Sequence, residues 1–239
     1  MVTLSIIIPV FNEARTVANV IKNVKSVDLG SINKELIVVD DCSTDKTREL
    51  LKVSNGIKLL CHDINRGKGA AIRTGLQHAA GDIILIQDAD MEYDPKEYHA
   101  LLKLILENKT KVVFGSRFMS TTTGQRSAKA LPSEYKGNQI YFLGNKFLSF
   151  CVGLLYGKKI SDMETCYKVF RREVLDRITL RATRFDFEPE ITAKILKKGH
   201  KIVEVPISYK PRPFTEGKKI TWKDGLYALF CLIKYRFVD

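Results

Sequence analysis

Cysteine is scarce in this 239-residue chain, and its distribution excludes folds that disulfides or structural zinc hold together. The cysteines lie far apart, and none belongs to a CxxC pair or a cysteine–histidine cluster: Cys42, Cys61, Cys151, Cys166 and Cys231. An odd, dispersed set argues against a disulfide framework or a zinc site and favours a reducing compartment. We therefore expect a cytoplasmic protein.

Long apolar runs are also absent. Residues 1–9 lack the basic region and the apolar stretch of a signal peptide. The most apolar segment, residues 140–156, is interrupted by Gly144, Asn145 and Lys146, so it falls short of the ~18 apolar residues of a spanning helix. We expect any membrane attachment to be peripheral, on the cytoplasmic face, or to depend on another subunit.

Acidic residues are in deficit, since 27 Asp and Glu stand against 39 Lys and Arg and give a formal net charge of +12. An excess of this size favours an anionic partner, such as a phosphorylated ligand, an anionic lipid surface or a nucleic acid. The basic residues are dispersed rather than interleaved with aromatic residues in runs, so we do not expect nucleic-acid binding. The apolar content of 45% is that of an ordinary globular domain.

Short β-branched runs alternate with longer mixed segments in the first half of the chain. The runs that predict strands are residues 4–10, 35–39, 57–61, 83–87 and 111–115. The segments that predict helices are residues 13–27, 44–52, 68–80 and 95–108. Nearly continuous apolar strands are buried on both faces, so this alternation predicts an α/β fold with a mostly parallel sheet flanked by helices. Ligands of such sheets bind at the carboxyl ends of the strands.

The second half of the chain is less regular. Residues 118–138 predict a long loop, residues 184–198 a helix and residues 200–209 a strand. A loop containing Pro and Lys follows at residues 210–219, and we expect it to be a mobile lid that orders over bound substrates. No linker divides the chain, which predicts a single domain.

Two amphipathic segments, residues 138–156 and 222–237, mix large apolar side chains with Lys and Arg. This pattern is typical of helices that lie in a membrane interface. It is equally typical of helices that pack one face on a protein core and expose a charged outer face. The sequence alone leaves both interpretations open.

The motif Asp88-Ala89-Asp90 follows directly after the predicted strand at 83–87. Two carboxylates at a strand end can hold a hard divalent ion from one side, while water and substrate phosphates supply the other ligands. The alternative is a solvated acidic turn that opens the next helix. We favour the metal for Asp88 and Asp90, and we expect Asp94 to be an N-cap, with Pro95 as the first helical residue.

Two further features lie at the same predicted edge of the sheet. The pair Asp40-Asp41 ends a strand, where a carboxylate can accept hydrogen bonds from a nucleobase or a ribose hydroxyl. The segment from Asn65 to Gly69 supplies glycines and two cations just before a helix. It fits a phosphate site built from backbone N–H groups, and it fits a plain turn equally well.

Five segments follow one another in a characteristic order: IIIPVFNE at 6–13, VVDDCSTD at 38–45, RGKG at 66–69, DAD at 88–90 and GSR at 115–117. Together they resemble the family 2 glycosyltransferases over residues 4–117. Further motifs extend the resemblance to the dolichyl- and polyprenyl-phosphate sugar synthases, the group of dolichol-phosphate mannose synthase: DMETCYK at 162–168, FEPE at 187–190, VPISY at 205–209, Arg212, and EGK at 216–218.

The resemblance implies a GT-A fold with an Asp-x-Asp metal motif. In a single catalytic domain over residues 1–239, residues 4–117 would bind the nucleotide sugar and residues 118–239 the acceptor. C-terminal amphipathic helices would complete the domain. The nucleotide-binding residues that the resemblance implies are Pro9, Phe11, Glu13, Asp40, Lys68, Asp88 and Ala89.

The resemblance also implies a metal ion and a set of cations. Asp90, with Asp88, would hold Mg²⁺ or Mn²⁺ against the diphosphate. Glu92 stands where relatives place a further metal ligand, often glutamine, so its role departs from the usual pattern. The cations that would meet donor or acceptor phosphates are Arg117, Arg212 and Lys218.

The implied reaction is the inverting transfer of a hexose from a nucleoside diphosphate sugar, of the GDP-mannose or UDP-glucose type, to a polyprenyl or dolichyl phosphate at a membrane surface. A phosphate acceptor is ionised near neutral pH and requires no strong general base, and the motifs contain no histidine. The alternative is a saccharide hydroxyl acceptor, which Asp162 would deprotonate as general base. With a phosphate acceptor, Asp162 would instead order Arg or Lys side chains near the acceptor.

Overall fold

The computed structural model describes residues 1–119, 139–212 and 222–238, and in these ranges the chain builds one seven-stranded sheet. The strands are β1 (Thr3–Val10), β2 (Asn33–Asp40), β3 (Lys58–Cys61), β4 (Ile83–Ile86), β5 (Val112–Ser116), β6 (Lys168–Arg171) and β7 (Ile202–Pro206). Their order across the sheet is β3-β2-β1-β4-β6-β5-β7. Only β6 runs antiparallel to its neighbours, so the predicted mostly parallel sheet is confirmed.

Helices connect these strands and flank the sheet. They are α1 (Val17–Ser26), α2 (Thr47–Lys52), α3 (Lys68–His78), α4 (Tyr98–Leu106), α5 (Gln139–Tyr156), α6 (Phe187–Lys197) and α7 (Trp222–Phe237). A 3₁₀ turn, Pro95–Glu97, leads into α4. The side chain of Asp94 accepts a hydrogen bond from the Lys96 N–H at its start, which confirms Asp94 as an N-cap.

The central strand β1 shows why the apolar runs form a buried sheet. Its residues Leu4, Ile6, Ile7 and Ile8 are fully buried, and it pairs in parallel with β2 on one side and β4 on the other. β-Branched side chains pack well on both faces of such a strand. A second, smaller core packs the inner faces of α5, α6 and α7 together through side chains that include Leu148, Ala193 and Leu232.

Strand β6 was not predicted from the sequence, because it is four residues long and begins and ends with a basic residue. Lys168 is nevertheless fully buried, since its ammonium donates hydrogen bonds to the carbonyls of Met163 and Thr165. The strand inserts between β4 and β5. It thereby places the preceding segment, residues 162–167, beside the carboxyl end of β4.

Parts of three predictions fall outside the described residues. The long loop predicted at 118–138 is described only at its first two residues, and the lid predicted at 210–219 only at its first three. Lys218 lies in the same undescribed range.

Candidate active site

A cavity of about 380 Å³ opens at the carboxyl ends of β1 and β4. Most of the residues predicted from the sequence line it: Pro9, Phe11, Glu13, Lys68, Asp88, Ala89, Asp90, Glu92, Arg117 and Arg212. They come from segments far apart in the chain, which the parallel strands bring to one edge. The structure therefore joins these residues into one site.

The two neighbouring aspartates at the end of β2 are both buried. Asp40 is fully buried and forms an ion pair with Arg48, with 2.6 Å between the carboxylate Oδ2 and Nε. Asp41, and not Asp40, lines the cavity. The predicted contact of Asp40 with the base stays a prediction.

Asp41 also explains the glycine-rich segment before α3. It accepts hydrogen bonds from the backbone N–H groups of Arg66 (2.8 Å) and Gly67 (2.7 Å), and His62 Nδ1 lies 2.6 Å from its Oδ1. Gly67 has a φ of 92°, and a Cβ there would lie 2.4 Å from the Thr183 carbonyl oxygen. The N–H groups of Arg66 and Gly67 already donate to Asp41, so they are not available to a phosphate. Of the two interpretations of this segment, the structure favours the tight turn over the phosphate site.

Arg212 is the central cation of the carboxylate cluster at the end of β4. Its guanidinium lies 3.0 Å from Glu13 and 3.2 Å from Asp90, and its Nε lies 3.6 Å from Glu92. The backbone N–H of Arg212 also donates to Glu92 at 2.9 Å. The hydroxyl of Tyr209 donates to the other oxygen of Glu92 at 2.6 Å. One arginine thus joins the ends of β1 and β4 to the segment after β7.

The carboxylates of this cluster fit a divalent cation by their chemistry. Burial, together with the neighbouring charges of Asp88 and Glu92, raises the pKa of Asp90 to about 7, and Arg212 opposes this shift. A hard cation would relieve this repulsion between oxygen donors. Within the described ranges no three acidic, histidine or cysteine side chains are arranged to enclose a metal. Asp88 and Asp90 offer carboxylate oxygens from one side, where substrate phosphates and water would provide the other ligands.

Lys68 connects Asp88, one of the two carboxylates expected to hold the metal, to Glu188, which the sequence analysis named only as part of the FEPE motif. Its ammonium lies 2.9 Å from Asp88 Oδ1 and 2.9 Å from Glu188 Oε1, and its side chain is 17% exposed. Burial alone would lower the pKa of Lys68, but Asp88 and Glu188 outweigh burial and raise that pKa well above its ordinary value. Glu188 lies in the first turn of α6. Its pairing with Lys68 depends on the tertiary fold. In the sequence, the FEPE motif was therefore the one indication that Glu188 belongs to the site.

Asp162 is fully buried and holds Arg117 in place. It accepts hydrogen bonds from Arg117 N (3.0 Å), Nε (2.7 Å) and Nη2 (2.7 Å), and from Asn145 Nδ2 (2.9 Å). Burial would raise the pKa of Asp162, but these donors outweigh it and keep that pKa below its ordinary value. The Arg117 guanidinium also lies over the Tyr209 ring, 5.0 Å from its centroid.

This geometry bears on the two roles considered for Asp162. A carboxylate with a lowered pKa and four hydrogen-bond donors is a weak acceptor for a further proton. Asp162 does not line the cavity, whereas the arginine that it orients does. The arrangement favours a positioning role for Asp162, acting through Arg117.

Residues 5–179 match the sequence model of the family described as Glycosyl transferase family 2. The chain belongs to glycosyl transferase family 2. This membership confirms the resemblance of the first-half motifs, and it establishes the protein as a glycosyltransferase.

Three archaeal relatives match most of the chain. An uncharacterized protein of Methanocaldococcus jannaschii is 29% identical over 95% of this chain and 90% of its own length. The glycosyltransferase AglJ of Haloferax volcanii is 29% identical over 87% of this chain and 63% of its own. A dolichol-phosphate mannosyltransferase of Pyrococcus furiosus is 28% identical over 90% of this chain and 58% of its own. The chain thus spans about three fifths of the two relatives with a named activity.

Solved structures confirm the GT-A fold. Glucosyl-3-phosphoglycerate synthase of Mycobacterium tuberculosis, in complex with Mn²⁺, UDP and phosphoglyceric acid, matches all of this chain with a TM-score of 0.73 and 19% identity, over 80% of its own length. The same enzyme in complex with Mg²⁺ and UDP matches equally well. At this identity the likeness shows the fold.

None of the described helices of the present chain has the length and apolar character that crossing a membrane requires.

Replacement of Asp162 by Asn is expected to destabilise the protein by about 3–5 kcal/mol, because it removes the buried carboxylate from its ion pair with Arg117. Urea unfolding followed by circular dichroism measures the change. The control is Asp176→Asn at an exposed position, with an expected change below about 0.5 kcal/mol. An Asp162→Asn protein of wild-type stability that had lost activity and the acidic limb of its pH–rate profile would instead identify a general base.

Proposed function

We propose that the protein transfers a hexose from a nucleoside diphosphate sugar to the phosphate of a polyprenyl or dolichyl phosphate, with inversion at the anomeric carbon. The observation that carries the proposal is the joint lining of one cavity by a carboxylate pair, Asp88 and Asp90, and two guanidinium groups, Arg117 and Arg212. No described residue of the cavity lining is a histidine. Such a site is suited to neutralising phosphates.

The donor would lie along the carboxyl ends of β1 and β4. Pro9 and Phe11 would contact the base and ribose, and Asp88, Ala89 and Asp90 would line the diphosphate. The UDP complexes of the structural neighbours support this class of donor.

The metal would be Mg²⁺ or Mn²⁺, the ions present in the neighbours' complexes. Asp88 and Asp90 would hold it, and Glu92 lies beside them. When bound, a divalent ion supplies positive charge to the departing diphosphate. The protein itself contributes Lys68 and Arg212, whose fixed positions lower the cost of organising charge around the leaving group.

The acceptor phosphate would bind between Arg117 and Arg212. Arg117 is held rigidly by Asp162 and by stacking on Tyr209, so it presents a guanidinium edge that is organised before the acceptor arrives. A phosphate monoester carries negative charge at neutral pH, and its oxygen attacks without prior deprotonation. The two arginines would hold this anion close to a second anion, the donor diphosphate, and so overcome their repulsion.

A lipid acceptor requires a membrane-facing surface, and α5 and α7 each offer one. On α5 the exposed apolar residues are Leu143, Phe147, Phe150 and Leu154, which are 54–76% exposed. On α7 they are Leu226, Phe230, Ile233 and Phe237, which are 44–77% exposed. Both sets follow the spacing i, i+4, i+7, i+11, so each forms a single stripe along its helix. With exposed lysines and arginine nearby, these stripes fit an anionic membrane interface.

Transfer to a short polyprenyl phosphate is expected to exceed transfer to the matching polyprenol by at least about 100-fold, because Arg117 and Arg212 can bind the charged phosphate, which the free alcohol lacks. Radiolabelled GDP-mannose and UDP-glucose serve as donors. Arg212→Ala is expected to depress transfer more than nucleotide binding, while Arg177→Ala, at an exposed position, leaves both unchanged. Equal transfer to the free alcohol or to a soluble saccharide would overturn the phosphate acceptor.

Removal of divalent metal is expected to abolish transfer, and added Mg²⁺ or Mn²⁺ to restore it. The nearby cations Lys68 and Arg212 are already paired with carboxylates of the protein, so the charge of a diphosphate needs a further cation. Asp90→Asn is expected to lower kcat by about 100-fold or more while its circular dichroism spectrum stays that of the wild type. The exposed Asp176→Asn serves as control. Full activity in excess chelator would contradict a metal at this site.

Vesicles that contain anionic lipid are expected to bind the protein through the stripes on α5 and α7. The double variant Phe150→Ser/Phe230→Ser should lose vesicle binding by about 10-fold or more in co-sedimentation, since each phenylalanine contributes apolar area. The control, Val53→Ser, removes an apolar side chain of comparable exposure elsewhere. Binding that the double variant leaves unchanged would exclude these helices as the membrane-facing surface.

A further inference from the structure

One end of the cavity holds a pair of glutamates that the reaction described above does not use. Glu164 precedes β6 and Glu188 lies in the first turn of α6, and both line the cavity. Glu188 is 5% exposed in its side chain, and only its Oε1 is paired, with Lys68. Among the described residues, neither Glu188 Oε2 nor Glu164 Oε1 has a hydrogen-bond partner, although both atoms are buried. Unsatisfied buried polar atoms cost about 1–3 kcal/mol each, so they point to a missing partner.

The neighbouring glutamate of the FEPE motif shows what a purely structural role looks like. Glu190 is fully buried, and its oxygens accept from the backbone N–H groups of Arg181 and Ala182. It also pairs with Lys194 at 2.8 Å, one helical turn along α6. The fold thus accounts for Glu190 completely, whereas it leaves one oxygen of Glu188, a residue that lines the cavity, without a donor.

Two lysines lie close to the glutamate pair. Lys68 pairs with Glu188, and the buried Lys168 interacts with both glutamates through their charges. Burial, followed by the charge of Glu188, raises the pKa of Glu164 to about 7. The pair therefore offers carboxylate oxygens to hydroxyl donors and would repel a further carboxylate.

The position of the pair relative to Asp88 identifies the part of a ligand that would reach it. The Lys68 ammonium bridges Asp88 and Glu188 with two contacts of 2.9 Å, so the two carboxylates are separated by one ammonium group. If the donor diphosphate lies at Asp88 and Asp90, as the proposed function requires, the group attached to it on the side of Lys68 enters the space beside Glu164 and Glu188. The proposed function places the base and ribose at Pro9 and Phe11, so the group that remains for this space is the hexose.

We propose that Glu164 and Glu188 form the subsite for the donor sugar, and that they select an uncharged hexose and reject a hexuronate. Hydroxyls of the sugar donate to Glu188 Oε2 and Glu164 Oε1 and so satisfy the two unpaired oxygens. Hydrogen bonds to charged groups are stronger than neutral ones, which makes this a source of affinity. A carboxylate at C6 of the sugar meets like charge in a buried site, which makes the same pair a source of specificity.

The test is a binding experiment that needs no acceptor, so its outcome is separate from the identity of the acceptor. Isothermal titration in the presence of Mn²⁺ measures Kd for UDP, UDP-glucose and UDP-glucuronate, and for GDP, GDP-mannose and GDP-mannuronate. In the nucleotide series that binds, we expect the uronate to bind at least 10-fold more weakly than the hexose. Equal affinity for the two sugars would overturn the proposal, and failure of both nucleotides to bind would overturn the donor class itself.

Two isosteric variants assign the selectivity to the pair. Glu164→Gln and Glu188→Gln are each expected to reduce the preference for hexose over uronate to below 3-fold, and to leave Kd for the nucleoside diphosphate within 2-fold of wild type. The control, Glu49→Gln at an exposed position on α2, should retain the full preference. Unchanged selectivity in both variants, or an equal loss of affinity for the nucleoside diphosphate and the nucleotide sugar, would contradict a sugar subsite.

Discussion

Repulsion between carboxylates at one edge of the sheet is the constraint on which the rest of the site depends. Three cations balance it, and each joins elements that are distant in sequence. Arg212 links the ends of β1 and β4 to the segment after β7, Lys68 links Asp88 to α6, and Arg117 is tied to Asp162. These ion pairs hold the two halves of the domain together around the cavity. They also place the charges that a glycosyltransferase with anionic substrates requires, so stability and chemistry share the same contacts.

The parts of this arrangement that follow from local pattern could be predicted from the sequence. β-Branched runs such as that of β1 predict buried parallel strands, and parallel strands bring their carboxyl ends to one edge. The cap at Asp94 follows from its place before Pro95, and the cavity-lining positions of Asp88 and Asp90 follow from their place after β4. In each case the decisive information lies within a few residues.

The remaining features depend on contacts between distant segments, which a single sequence does not show. Strand β6 is too short and too basic for its pattern to indicate burial, and two backbone carbonyls make the burial of Lys168 tolerable. The glycines before α3 suggested phosphate binding, yet Gly67 is required by the close approach of Thr183. The position of Glu188 beside Lys68 is visible only in the fold, and the role proposed for Glu188 depends on it. Charged side chains are ambiguous in sequence because the same residue serves as a solvated surface group, a structural partner or a ligand.

The most direct test of sugar transfer to a phosphate is the bond in the isolated product. Nuclear magnetic resonance of the product formed from a donor of known anomeric configuration, with a short polyprenyl phosphate as acceptor, shows both the linkage and the stereochemistry. An anomeric proton coupled to phosphorus, with the configuration opposite to that of the donor, is the predicted result. An anomeric carbon bonded to a carbohydrate or alcohol oxygen without phosphorus coupling, or retention of the donor configuration, would contradict it.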